Sequence, residues 1–192
     1  MFSKYYPHQM KRFILFGLVL LLNVVAHAQP EEVLKIINQA RTDPQGFLTV
    51  RLVPYIRQKG MEENSYAKSL VEELKSASKV SPLKSSPVLT KLARDHAMDM
   101  GNRGKVGHES SDGTTFVHRI RKKIKTGMIA ENCDYGNTDP LDIVMSLLID
   151  DGIVSLGHRK NILYPKLGVV GIAIEKHKTY GMNCVMDFAE TD

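Results

Sequence analysis

The stretch VVGIAIEKHKTYGMNCVMDF, residues 169–188, decides the fold class. Val169, Val170, Ile172 and Ile174 read as one β-strand, and Tyr180, Met182, Cys184, Met186 and Phe188 alternate as a second. Alternation marks a strand because every other side chain points to the same face. Lys176 to Thr179 suits a hairpin turn between the two. Upstream, apolar residues recur at helical spacing instead. Pro30-Glu31-Glu32 opens a helix carrying Val33, Ile36, Ile37 and Ala40, and Asp43-Pro44 starts another toward Leu52, with Pro54 as its breaker. A further helix is expected over Glu62 to Ser76, and Lys75 to Ser86 reads as a surface crossing. Ser86-Pro87 begins the clearest helix, with Leu89, Leu92, Ala93, His96, Ala97 and Met100 on one face and Gly101 as its stop. Phe116 and Ile120 mark one more, and Thr138-Asp139-Pro140 caps the last, which runs to Asp151-Gly152. Helices first and an antiparallel pair last predict a layered α+β domain. No internal repeat or shift of composition divides it.

The N-terminus carries Lys4, Lys11 and Arg12, then an apolar run from Phe13 to Val25, then Ala26-His27-Ala28. This order predicts a cleavable signal peptide over residues 1–28 and one domain over 29–192. The apolar run is shorter than the roughly 20 residues of a spanning helix, so no transmembrane segment is expected after cleavage. Removing the leader's three basic groups leaves 23 Lys and Arg against 21 Asp and Glu. That near-neutral balance argues against nucleic acid as a partner. Export to an extracellular or periplasmic space would let Cys133 and Cys184 form one disulfide; two buried free thiols are the alternative.

Three polar segments rich in Gly or Asn are expected at loops or element ends. They are Gly107-His108-Glu109-Ser110-Ser111-Asp112-Gly113, Ala130-Glu131-Asn132, and Gly157 to Leu163 with His158, Arg159 and Asn161. Two histidines and a carboxylate suit zinc or another divalent metal, and equally a proton relay. Their spacing does not choose: His108 and His158 are 50 positions apart. Glu131 also reads as a structural carboxylate for backbone N–H groups, and His158 as a helix cap. His96, inside an apolar stripe, reads as a hydrogen-bonded core residue. The basic run Arg119, Arg121, Lys122, Lys123 and Lys125 reads as a solvated face. No serine sits in a Gly-x-Ser-x-Gly elbow.

Taken together, ENCDYG (131–136), LLIDDGIVSLGHRKNIL (147–163), the VGIAI strand and YGMNCVMDFA resemble the CAP superfamily of cysteine-rich secretory, antigen 5 and pathogenesis-related proteins. IINQARTDPQGFL and LARDHAMDMGNRGKVGHESSDGTTFVHR agree with it, and residues 55–86 match least. The resemblance implies an α-β-α sandwich with a central antiparallel sheet. It places His108, His158 and Glu131 in a cleft, with Glu109, Asn132, Arg159 and Asn161 supporting them. The family's second cleft glutamate has no match here; Asp142, Asp150 and Asp151 are the acids nearby. The tryptophan-bearing segment after the second histidine is also missing, as in the bacterial-type branch. The implied function is a secreted binding module for a lipid, sterol or protein partner, with a cleft suited to a divalent metal. A zinc-dependent extracellular hydrolase and an envelope protein with a vestigial cleft are the alternatives.

Overall fold

The computed structural model describes residues 29–125 and 127–190; the expected signal peptide lies outside them. Helix α1 covers residues 29–42. It is followed by α2 (Pro44–Phe47), a π-helical turn (Leu48–Leu52), α3 (Val53–Lys59) and α4 (Ser65–Ser76). Strand β1 (Lys84–Ser85) leads into α5 (Pro87–Arg103) and α6 (Phe116–Arg121). Then come β2 (Ile129–Tyr135), α7 (Pro140–Ile149), α8 (Gly157–Leu163), β3 (Leu167–His177) and β4 (Gly181–Glu190). No helix among the described residues is long and apolar enough to cross a membrane.

The sheet order is β1-β3-β4-β2. The three long strands are antiparallel, and the two-residue β1 adds a parallel edge to β3. Strand alternation divides the apolar residues between the two faces. Val170, Ile172, Cys184, Met186 and Phe188 pack with α1, α4 and α7 in the main core. Cys133, Ala173 and Val185 meet Ala93 and Ala97 of α5 on the other face. The α+β sandwich read from the sequence is therefore the fold.

Two glycines set how closely α5 lies on the sheet. A Cβ at Gly171 would come within 2.0 Å of the backbone of Leu89 and Thr90, and one at Gly101 within 2.0 Å of the Lys176 carbonyl. Gly101 therefore does not stop α5, although the sequence predicts that it does. The helix runs on to Arg103 and ends at Gly104, φ 66°. Pro54 does not break its helix either. It occupies the first turn of α3, where its missing N–H costs nothing, and the π turn before it carries the chain through.

The disulfide does not form. In the β2–β4 ladder Cys133 pairs with Val185 and Cys184 with Asp134, so the two thiols leave opposite faces of the sheet. Both are free and buried.

Candidate functional site

The segment Ala130-Glu131-Asn132, expected at a loop or an element end, lies within the first half of strand β2. This matters because β2 sends successive side chains to opposite faces. Glu131 points toward His96 of α5, while Asn132 points toward α8 and Asp134 toward α7.

On the α5 side, the loop after Gly104 is tied down at several points. Ser111 donates its N–H and hydroxyl to Asp99 at 2.7 and 2.6 Å. The Gly107 N–H donates to the Tyr135 hydroxyl at 2.9 Å, and the Gly107 carbonyl accepts from His96 Nε2 at 3.0 Å. His96 is thus a buried, hydrogen-bonded histidine, and burial lowers its pKa. The loop presents His108, whose Nδ1 lies 2.9 Å from Glu131 Oε1. Arg119 of α6 pairs with Oε2 of the same carboxylate and donates to the His108 carbonyl and Ser110 Oγ. Glu131 therefore holds two side chains, not the backbone N–H groups anticipated, and Arg119 is buried instead of solvated. Burial opposes the Glu131 charge, but the His108 hydrogen bond and the Arg119 charge prevail and lower its pKa. Across the ladder Asp187 faces Glu131. Burial, then the negative Glu131, pushes its carboxyl well above the usual range.

His158 has a carboxylate of its own. Asp150 closes α7 in the left-handed region, φ 58°, and this turns its side chain toward α8. Asp150 Oδ1 is 2.6 Å from His158 Nδ1, and Oδ2 accepts the His158 N–H at 2.9 Å. The sequence offers Asp150 as one of three nearby acids without choosing it; its cap position gives it the role. The two histidine pairs are bridged through β2. Asn132 donates to the His158 carbonyl at 3.0 Å, and Asn161 donates to Asn132 Oδ1 at 2.8 Å and to the Glu131 carbonyl at 3.4 Å.

Two residues expected near the cleft lie elsewhere. Arg159 turns inward and donates to the Leu148 and Ile149 carbonyls at the end of α7 and to the Tyr66 carbonyl and Ser69 of α4. It is a scaffold residue, because unbonded carbonyls at a buried helix end are costly. Glu109 is exposed on the loop and stands outside the network.

A cleft of about 430 Å³ opens beside His158, walled by Tyr55, Asp134, Tyr135, Asp142, Asp150 and Asp151, with Met61, Ile153 and Cys133 as apolar lining. Lys59 pairs with Asp142 at 2.9 Å, and Asn64 donates to Asp151 at 2.9 Å. Burial raises the Asp134 pKa against the hydrogen bonds it receives from Asn137 and Ser146. His108 is not part of this lining; its Nδ1 lies 3.8 Å from the sulfur of Cys133, which is. Each imidazole is therefore fixed through Nδ1 to a carboxylate, leaving Nε2 for a ligand.

The family model "Cysteine-rich secretory protein family" (CAP) matches residues 34–188. Among solved structures the chain is similar to an outer surface protein from Borrelia burgdorferi, with 19% identity over 66% of this chain and 90% of that one, TM-score 0.49. It is similar to an extracellular protein containing a SCP domain from Bacillus anthracis str. Ames, with 19% identity over 66% of this chain and TM-score 0.50. It spans 39% of that longer protein. Schistosoma mansoni venom allergen-like protein 4 shares 16% identity over 66% of this chain and 84% of its own, TM-score 0.43. No curated protein matches the sequence.

Proposed function

The chain belongs to the CAP family of cysteine-rich secretory proteins, and from that membership we propose that it is an exported binding module whose acidic cleft captures a basic group of a protein partner. The similar Bacillus anthracis structure is of an extracellular protein. Together with the N-terminal leader, this supports a location outside the cytoplasm.

The observation that carries the ligand class is the charge of the cleft. Asp134, Asp142, Asp150 and Asp151 share one wall, where Lys59 pairs with Asp142 and the His158 imidazole hydrogen-bonds Asp150. A guanidinium or ammonium about 4 Å from one such carboxylate gains roughly 1–4 kcal/mol before desolvation, depending on the effective dielectric. Tyr55 and Tyr135 offer ring faces to the same cation. The groove between α3 and α4 is small for a sterol. It is apolar, lined by Val53, Ile56, Ala67 and Val71, and holds about 240 Å³, and small-molecule sites typically hold about 300–1,000 Å³.

Hydrolysis through a cysteine or serine nucleophile is disfavoured by the state of those groups. Burial, and for Cys133 the nearby Glu131, pushes both thiols well above their usual range. The Ser111 hydroxyl is committed to Asp99, and the Ser110 oxygen accepts from Arg119.

Calorimetric titration with an arginine-rich hexapeptide tests this reading. Binding is expected to weaken at least about tenfold in Asp151→Asn, and to weaken further as salt rises. An affinity indifferent to both the substitution and the salt would overturn it.

A further inference from the structure

We propose that the outer edge of β3 binds an extended peptide segment of alternating apolar and acidic residues, adding it to the sheet as a further strand. Strand β1 covers only Val169 and Val170 of β3. The Ser86 N–H donates to the Val170 carbonyl at 2.8 Å, so the backbone groups of Val170 point away from β4. In a regular ladder every second residue does the same, and β3 keeps an unbroken register against β4 from Val170 to His177. The Ile172 carbonyl and both backbone groups of Ile174 therefore face this edge. No other strand pairs with it among the described residues. Such a row of N–H and C=O groups is a template for another extended chain.

The edge is also recessed. A cavity of about 440 Å³ touches Val170 and Ile172 of β3, Leu34 of α1, and Thr90, Lys91 and Arg94 of α5. Since α1 and α5 cover opposite faces of the sheet, this cavity passes around the edge between them. The flanking helices admit one extended chain and obstruct a second copy's β3, which carries helices of its own. Side chains of an added strand alternate between the two faces. A residue opposite Ile174 points with it to the α1 side, toward Leu34 and Ile172, where Glu31 on the rim repels a carboxylate. Its neighbours point to the α5 side, toward Lys91 and Arg94. These cations pair with Asp95 at 2.6 Å and Glu175 at 3.2 Å, in half-exposed ion pairs that are worth little and exchange readily for a peptide carboxylate. Backbone pairing supplies the affinity and the alternate side chains the specificity. In the sheet order β3 and β2 are separated by β4, so this edge is distinct from the acidic cleft beside β2 and does not depend on it.

The probe is a fluorescently labelled pentapeptide, acetyl-VEVEV-amide, titrated into the purified protein by anisotropy. Binding is expected to saturate at one peptide per chain and to slow hydrogen exchange at the Ile174 amide at least about tenfold. N-methylation of the valines, whose N–H groups face Ile174, weakens binding at least about tenfold, while N-methylation of the glutamates, whose N–H groups face away, does not. Arg94→Glu weakens binding of VEVEV and strengthens that of VKVKV; Asp151→Asn changes neither. The arginine-rich hexapeptide still binds the cleft in Arg94→Glu, so failure of either proposal is read separately from the other. No saturable binding, equal binding of the valine-methylated peptide, or Ile174 exchange indifferent to the peptide overturns the site. Protection of Ile174 that rises with protein concentration alone also overturns it, and assigns the edge to a second copy of the chain.

Discussion

Glu131 is the residue on which most of the network depends. Its carboxylate is buried and shared between Arg119 and His108, so removing it strands a buried guanidinium. Breaking such a pair typically costs about 3–5 kcal/mol, and Glu131→Ala is expected to lower stability by that order in urea unfolding. A loss below about 1 kcal/mol would mean the pair behaves like a surface ion pair. Asp99 makes a pH-dependent contribution one loop away. Burial opposes its charge, but the hydrogen bonds from Ser111 win and lower its pKa. A carboxyl with a depressed folded pKa stabilises the fold above its unfolded pKa, about 3.9, and that contribution is lost as pH falls through the folded value. Hydrogen exchange at the Ser111 amide is therefore expected to stay slow at neutral pH and to lose protection in acid below about pH 4. Asp99→Ala removes that protection at every pH; unchanged exchange in the variant would contradict the tether. His108, Glu131 and His158 were all legible as cleft candidates. Arg119, Asp150 and Asp187 were not, for separate reasons. A basic run conceals one inward arginine, a left-handed cap residue looks like any loop aspartate, and Asp187 meets Glu131 only through strand register.

At the scale of elements, apolar spacing and caps located most helices but not α3 or α8, because Ser86, Asp139 and the prolines after them carry local information. Strand β2 escaped because its sequence, IAENCDY, alternates a charge and a thiol with polar groups instead of apolar with polar. Both of its faces are covered, so Glu131, Asn132 and Asp134 find their partners in neighbouring protein groups. The reach of α5 was also hidden: Gly101 and Gly171 look like breakers locally but act as clearance between a helix and a sheet. Gly171→Ala places a methyl inside the backbone of Leu89 and Thr90. Overpacking of this kind costs about 1–3 kcal/mol or more, and the variant is expected to melt earlier with an altered near-UV spectrum. A melt identical to the parent's would mean α5 lies farther from the sheet than described.

For the whole molecule, the sandwich brings two carboxylate-held histidines to opposite faces of β2, His108 from the loop after α5 and His158 from the start of α8. Nothing in the linear spacing of 50 residues announces that arrangement; the asparagines at 132 and 161 stitch it together through the strand. The same register keeps Cys133 and Cys184 apart, so intact mass after denaturation and alkylation is expected to show two modified thiols with or without prior reduction. A difference between the two samples would contradict the register. The claim that joins these scales is that the acidic cleft beside His158 is where the protein meets its partner. Nuclear magnetic resonance of the protein titrated with an arginine-rich hexapeptide tests it most directly. The account predicts concerted shifts at His158, Asp150, Asp134 and Tyr135, and shifts confined to other acidic surfaces, with the cleft silent, would contradict it.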